Sequence, residues 1–102
     1  MSARLSLIKN WPELAPKANW AVSALAKQCR VSVRALEHHF LRKMGTNPKN
    51  WLREQRQQKA LEMLSKGASV KEIAFELGYK HSHHLSRDFK AHFGYSPTKT
   101  IE

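Results

Sequence analysis

Four side chains carry the clearest chemistry in this sequence. Arg34 and His38 stand four residues apart, as do His83 and Arg87, and the second pair follows the first at an offset of 49 residues. Residues four apart share one face of a helix, so each pair would present two long hydrogen-bonding groups side by side. A guanidinium can grip O6 and N7 of guanine with two parallel bonds, and an imidazole can donate or accept at a base edge. That is the chemistry of reading a DNA major groove. An ordinary solvated helix face also carries Arg and His. Repetition at matched positions, in a basic chain, favours the groove.

The elements that must hold these groups follow from apolar spacing and stop signals, which are helical nearly throughout. Residues 3–10 look helical. Trp11–Pro12 disfavours continuation, so 12–19 is expected to be a loop with at most one turn of helix. From Ala21 a short helix turns Val22, Leu25 and Ala26 inward. Arg30–Val31 form a turn, and Ser32 caps a helix over 33–44 that stops at Gly45. Asn47–Pro48 start the longest helix, 48–66, with Trp51, Leu52, Ala60, Met63 and Leu64 as its apolar stripe and Gly67 as its end. Ser69 and Glu72 make a capping box ahead of a helix that turns Val70, Ile73, Ala74 and Leu77 inward. After a turn at Gly78–Tyr79, a sixth helix covers 81–93 and stops at Gly94. Ser96–Pro97 begin a truncated seventh.

The chain thus writes one device twice. "FLRKMGTNP" (40–48) and "FKAHFGYSP" (89–97) share Phe, Gly and Pro at the same spacing. Ala26 and Ala74 sit where helices approach closely; their offset is 48, so the second turn is one residue longer. Each copy reads as a helix-turn-helix. The expected fold class is all-α: two helix-turn-helix lobes joined by a long connector helix, about seven helices in all. The expected boundaries are 1–20 for an N-terminal helix and loop, 21–47 for the first lobe, 48–67 for the connector and 68–102 for the second lobe. With Leu36/Phe40 and Leu85/Phe89 as inward pins, about 100° per residue turns Arg34, His38, Leu41 and Arg42 outward on one helix. On the other it turns out His83, Arg87 and Lys90. A connector of about 18 residues spans about 27 Å, against about 34 Å between successive major-groove faces. One chain is therefore expected to bind double-stranded DNA as a monomer over two adjacent groove segments.

Composition agrees. Eighteen Lys and Arg against eight Asp and Glu leave +10, with a pI near 10.2, which suggests a nucleic-acid partner. One cysteine, Cys29, excludes an internal disulfide and a Cys-rich zinc site. There is no signal-peptide pattern, and no apolar run approaches the roughly 20 residues that span a bilayer. The expectation is a cytoplasmic protein without a membrane partner.

Other chemistries are weaker. "HSHH" (81–84) suggests a metal, but ligand spacing fails except for Asp88, one turn after His84. His81 and His92 are expected to face the packed side. Cys29 reads as a small packed side chain. Trp20 and Trp51 are expected to pack the first lobe, and Trp11 could pack or stack on a base. Arg56, near the apolar stripe, suits a structural ion pair or a phosphate contact. No phosphate loop, paired carboxylates or nucleophile motif appears, so neither an enzyme nor a cofactor is expected. The rival reading, a helix-turn-helix used for protein interaction, would favour an acidic or apolar outward face; this one is cationic.

From about Trp20 to Pro97 the chain resembles the DNA-binding domain of AraC/XylS-family bacterial transcription regulators. "GYKHSHHLSRDFKAHFGYSP" (78–97) looks like that family's signature segment, through Gly78, Tyr79, Leu85, Ser86, Arg87, Phe89, Lys90, Phe93, Gly94 and Pro97. Leu25, Ala26, Ser32, Leu36, Phe40, Gly45 and Pro48 fit the first lobe, and Arg56, Ala60 and Leu64 fit the connector. The resemblance implies base contacts from Arg34, Glu37 and His38, then from Ser82, His83, Ser86 and Arg87. Phosphate contacts are assigned to Ser32, Arg42, Lys43 and Lys90. RNA polymerase is the further partner such a regulator allows. His38 stands where the family often has Arg, Ala21 replaces the usual hydroxyl at an N-cap, and Thr100–Ile101 replace a closing aromatic–Arg pair. Most members carry a ligand-binding or dimerising domain as well, so the chain is expected to be either a stand-alone small regulator or a C-terminal domain cut from a larger one.

Overall fold

The computed structural model describes Leu5 and residues 7–97. Six helices and no strand are found among them: α1 (Trp11–Lys17), α2 (Val22–Gln28), α3 (Val33–Met44), α4 (Pro48–Ser65), α5 (Val70–Glu76) and α6 (Ser82–Phe93). The chain divides into two compact units, and the division falls inside α4, after Gln55. None of the helices described is long and apolar enough to cross a membrane.

The first unit is built on an aromatic cluster. Leu25, Leu36 and Phe40 are fully buried, and Leu5, Ala15 and Leu52 join them. Trp11 lies in this core, edge-on to Phe40 at 4.9 Å between ring centres and to Trp51 at 6.5 Å. Trp51 meets Phe40 edge-on at 5.4 Å. Edge-to-face packing is the arrangement that the aromatic quadrupole favours.

Residues 11–17 correct the expected loop, because they form α1. Pro12 sits in the first turn, where a missing N–H leaves no bond unmade. Pro16, in the last turn, does not prevent the helix from burying Trp11 and Ala15. Burial of an indole outweighs the poor local propensity. The helix expected at 3–10 falls partly outside the described residues; Leu5 is helical, and residues 8–10 have no regular structure.

Between α1 and α2 the backbone is left-handed at Asn19 (φ 53°) and Trp20 (φ 60°). No glycine marks this reversal. Trp20 nevertheless packs against the core, and that packing offsets an unfavourable backbone region.

The second unit buries Ala60 and Leu64 of α4 with Ile73, Ala74, Leu77, Leu85 and Phe89. Its turn and that of the first unit close alike. The Val31 N–H donates to the Ala26 carbonyl at 3.0 Å, and the Tyr79 N–H to the Ala74 carbonyl at 2.8 Å. The residue before each donor is left-handed: Arg30 (φ 58°) in one turn, Gly78 (φ 80°) in the other. The C-caps Cys29 and Leu77 are 48 apart and the N-caps Ser32 and His81 are 49 apart. The extra residue is therefore Lys80, after the shared hydrogen bond.

Each α3- and α6-type helix ends as its sequence demands, at Gly45 (φ 70°) and Gly94 (φ 86°). The prolines that follow, Pro48 and Pro97, are both fully buried. Of the expected seventh helix, Ser96 and Pro97 lie within the described residues, and Thr100 and Ile101 lie outside them.

Caps separate the helix starts. Ser69 makes a full capping box: its Oγ accepts the Glu72 N–H at 3.1 Å, and its own N–H donates to Glu72 Oε1 at 2.8 Å. Ala21, at the head of α2, has no side-chain bond to offer. Ser69→Ala should lose about 1 kcal/mol of unfolding free energy, and Ala21→Ser should gain about 0.5–1 kcal/mol. Urea denaturation followed by circular dichroism measures both; equal midpoints for the two variants would contradict this account.

Candidate nucleic-acid interface

The two candidate recognition helices are α3 and α6, each twelve residues long. On α3, Leu36 and Phe40 point into the core, and His39 beside them is also buried, at 6% exposure. Arg34, Glu37, His38, Leu41, Arg42 and Lys43 are all exposed. On α6, Leu85 and Phe89 are buried, while Ser82, His83, Arg87 and Lys90 are exposed and Ser86 is partly buried. Every base- or phosphate-contact candidate is thus on the outer side of its own helix or at its head, with Ser86 at the margin.

Both helices begin without an acidic residue in the first turn and end with basic ones, Arg42 and Lys43 on α3, Lys90 and His92 on α6. The partial positive charge of each N-terminus is therefore not neutralised from within the helix, which suits an anionic partner. Ser32 caps α3 by accepting the Ala35 N–H at 3.0 Å. That bond uses the hydroxyl oxygen as an acceptor and leaves its proton unused.

The head of α6 gathers three imidazoles. His83 and His84 meet at 4.3 Å between ring centres, and His81 lies 5.3 Å from each. Burial, then the charges of His83 and Arg87, hold the His84 imidazole below its ordinary pKa. No group of three His, Cys, Asp or Glu residues among those described is placed to hold a metal ion. His81 and His92 are both exposed, which corrects the expectation that they face the packed side. His81 is the N-cap residue, outside the helical register from which its direction was read, and His92 lies beside Phe93 rather than beneath it, at 4.6 Å.

Two structural roles were missed or only half legible. His39 reads in the sequence as one more polar residue, yet it packs against Trp11 at 5.9 Å and is buried. Its i+1 neighbour Phe40 and i−3 neighbour Leu36 are the signal that could have found it. Arg56 proves structural, and its partners are a carbonyl and an aromatic ring rather than a carboxylate. Nε and Nη2 donate to the Leu77 carbonyl at 3.1 and 2.8 Å, capping the end of α5, and the guanidinium lies 3.8 Å over the Tyr79 ring. Cys29 is buried, and burial raises its thiol pKa, so it is no activated nucleophile.

These features define a class: an all-helical protein of two helix-turn-helix units, each holding a cationic face clear of its core. The family described as a helix-turn-helix domain matches residues 25–102. The HTH-type transcriptional activator RhaS of Escherichia coli O1:K1 is 35% identical over 99 residues, a match covering 94% of this chain and 35% of RhaS. The C-terminal domain of the two-component response regulator yesN from Fusobacterium nucleatum shares the fold, with a TM-score of 0.81 at 23% identity over 96% of this chain and 97% of that one. A transcriptional regulator with an AraC-type DNA-binding domain from Chromobacterium violaceum matches at 0.73 and 25% identity, over 87% and 83%. The chain belongs to the AraC-type helix-turn-helix family, as a DNA-binding domain homologous to bacterial transcriptional regulators. It spans about a third of the length of the curated relatives it matches.

His39 yields a pH prediction. Burial first, then Lys43 and Arg42, lower its pKa below the ordinary imidazole value. The folded state therefore favours the neutral ring. Its stabilising share is complete above the unfolded pKa, about 6.5, and is lost as pH falls below that towards the folded value. The melting temperature should fall between pH 7.5 and 5.5, and His39→Leu should flatten the slope. An unchanged slope in the variant would remove His39 from the account.

Proposed function

We propose that this chain binds specific sites on double-stranded DNA, placing α3 and α6 in successive major-groove segments, one chain to each site. The observation that carries the reading is the matched pair of outward faces, Arg34/His38 and His83/Arg87, each opposite a fully buried Leu–Phe pair. Arg34, Glu37, His38, Ser82, His83, Ser86 and Arg87 are the base-contacting set. Ser32, Arg42, Lys43 and Lys90 meet phosphates, with the net charge of +10 adding sequence-independent attraction. A transcription regulator built on this domain would act at promoters, where RNA polymerase is its second partner.

The test begins with selection of bound duplexes from a random pool. Arg87→Ala should cost about 1–3 kcal/mol on the selected site and relax preference at one base pair. Lys90→Ala should weaken all duplexes alike and lower the salt slope by about one unit. Fluorescence anisotropy titrations across several salt concentrations separate the two. An unchanged selected motif for Arg87→Ala, or an obligate pair of chains on each site, would overturn the corresponding assignment.

A further inference from the structure

The second unit carries a line of polar side chains through its core to the surface. Gln57 is fully buried. Its Nε2 donates to the Tyr79 hydroxyl at 2.7 Å, and that hydroxyl donates to Asp88 Oδ2 at 3.1 Å. The other carboxylate oxygen, Oδ1, lies 3.5 Å from Arg87 Nε.

The direction of the line follows from donor counting. A carboxylate only accepts, so the single hydroxyl proton of Tyr79 goes to Asp88. Tyr79 must then accept from Gln57, which turns the amide NH2 towards it. The consequence is visible: Gln57 Oε1 is buried without a partner. An unmatched buried acceptor carries a desolvation penalty, and a native structure that retains one calls for a reason. Tyr79 is also held by the Arg56 guanidinium over its ring, which the bonds from Arg56 to the Leu77 carbonyl fix in turn. Burial raises the Tyr79 pKa, so its hydroxyl stays a donor.

We propose that Tyr79 and Asp88 are positioning residues that aim Arg87 at its base, with Gln57 as their buried anchor. The inference rests on Arg87 as a base reader, as proposed above. With Oδ2 tied to Tyr79, Oδ1 is turned to Arg87 Nε. That occupies one edge of a guanidinium whose side chain is 71% exposed and otherwise free to sample many rotamers. The end-on fork of Nη1 and Nη2 remains open, the geometry that fits O6 and N7 of guanine. The carboxylate also repels phosphate, so a misaligned Arg87 gains less from the DNA backbone. The arrangement favours discrimination over raw affinity.

The experiment compares Arg87→Ala, Asp88→Asn, Tyr79→Phe and the double variant Gln57→Leu/Tyr79→Phe in the full chain. Each is titrated against the selected duplex and against every single-base-pair change in it, at a temperature where melting curves show all four folded. The double variant removes the buried amide that Tyr79→Phe alone would strand. At the one base pair that Arg87→Ala relaxes, the other variants should lose about 2- to 5-fold of preference, the worth of one exposed ion pair. Other positions should keep theirs. Asp88→Asn should bind unselected duplexes more tightly than the wild type. If Asp88→Asn and the double variant keep wild-type preference at that base pair, the relay is refuted while Arg87 stands as a reader. A uniform loss at every position marks a purely structural role and also refutes it. If Arg87→Ala relaxes no position, the reading and the relay fall together.

Discussion

Each candidate recognition helix is held by two side chains one turn apart. Leu36 and Phe40 pin α3, Leu85 and Phe89 pin α6, and all four are essentially inaccessible to water. Full burial of such a side chain contributes about 1.5–3 kcal/mol. Helical geometry then does the rest. Once residues i and i+4 are inside, residues at i−2 and i+2 stand well round the cylinder and must face out. Arg34 and His38 occupy those positions around Leu36, as His83 and Arg87 do around Leu85. The outward face is thus a geometrical consequence of the core.

The two units support that constraint by different means. In the first, rings do the work: Trp11 and Trp51 both meet Phe40 edge-on, and the His39 ring packs against Trp11. In the second, Phe89 meets Phe93 at 4.6 Å and Tyr95 at 5.6 Å, and Gln57, Tyr79 and Asp88 add one hydrogen-bonded line. An apolar cage tolerates small shifts of its rings. A hydrogen-bonded line does not, because its bonds weaken steeply with misalignment. The second helix therefore has the stricter local reference for its side chains.

Charge is distributed consistently with this. The ion pairs seen among the described residues are Glu62 with Lys59 and Lys66, on an exposed stretch at the end of α4 and just beyond it, and Arg87 with Asp88. Exposed pairs of the first kind contribute little to stability. Most of the basic excess is left facing solvent, where it repels itself within the folded chain and attracts a polyanion.

Helix positions were legible in the sequence because their punctuation is local. Gly45 and Gly94, the Ser69–Glu72 box and the Asn47–Pro48 start act over three or four residues, and the structure places the helix ends where they direct. The 49-residue repeat and the outward registers of α3 and α6 follow from the same short-range rules. Local reading failed where distant contacts outweigh propensity. Residues 11–17 look like a proline-broken loop, but Trp11 has Phe40 and Trp51 to pack against, so they form a helix. Asn19, Trp20 and Arg30 adopt left-handed backbone without a glycine to announce it. His39 is buried because Trp11, distant in sequence, packs on it, and His81 is exposed because it is the N-cap of α6 rather than a residue within its helical register. The sequence alone determined which face of each candidate recognition helix points outward, since helical periodicity is a property of the chain itself. Only the tertiary structure decided what stands behind that face, because the bonds from Gln57 to Tyr79 and from Tyr79 to Asp88 join residues that no local periodicity relates.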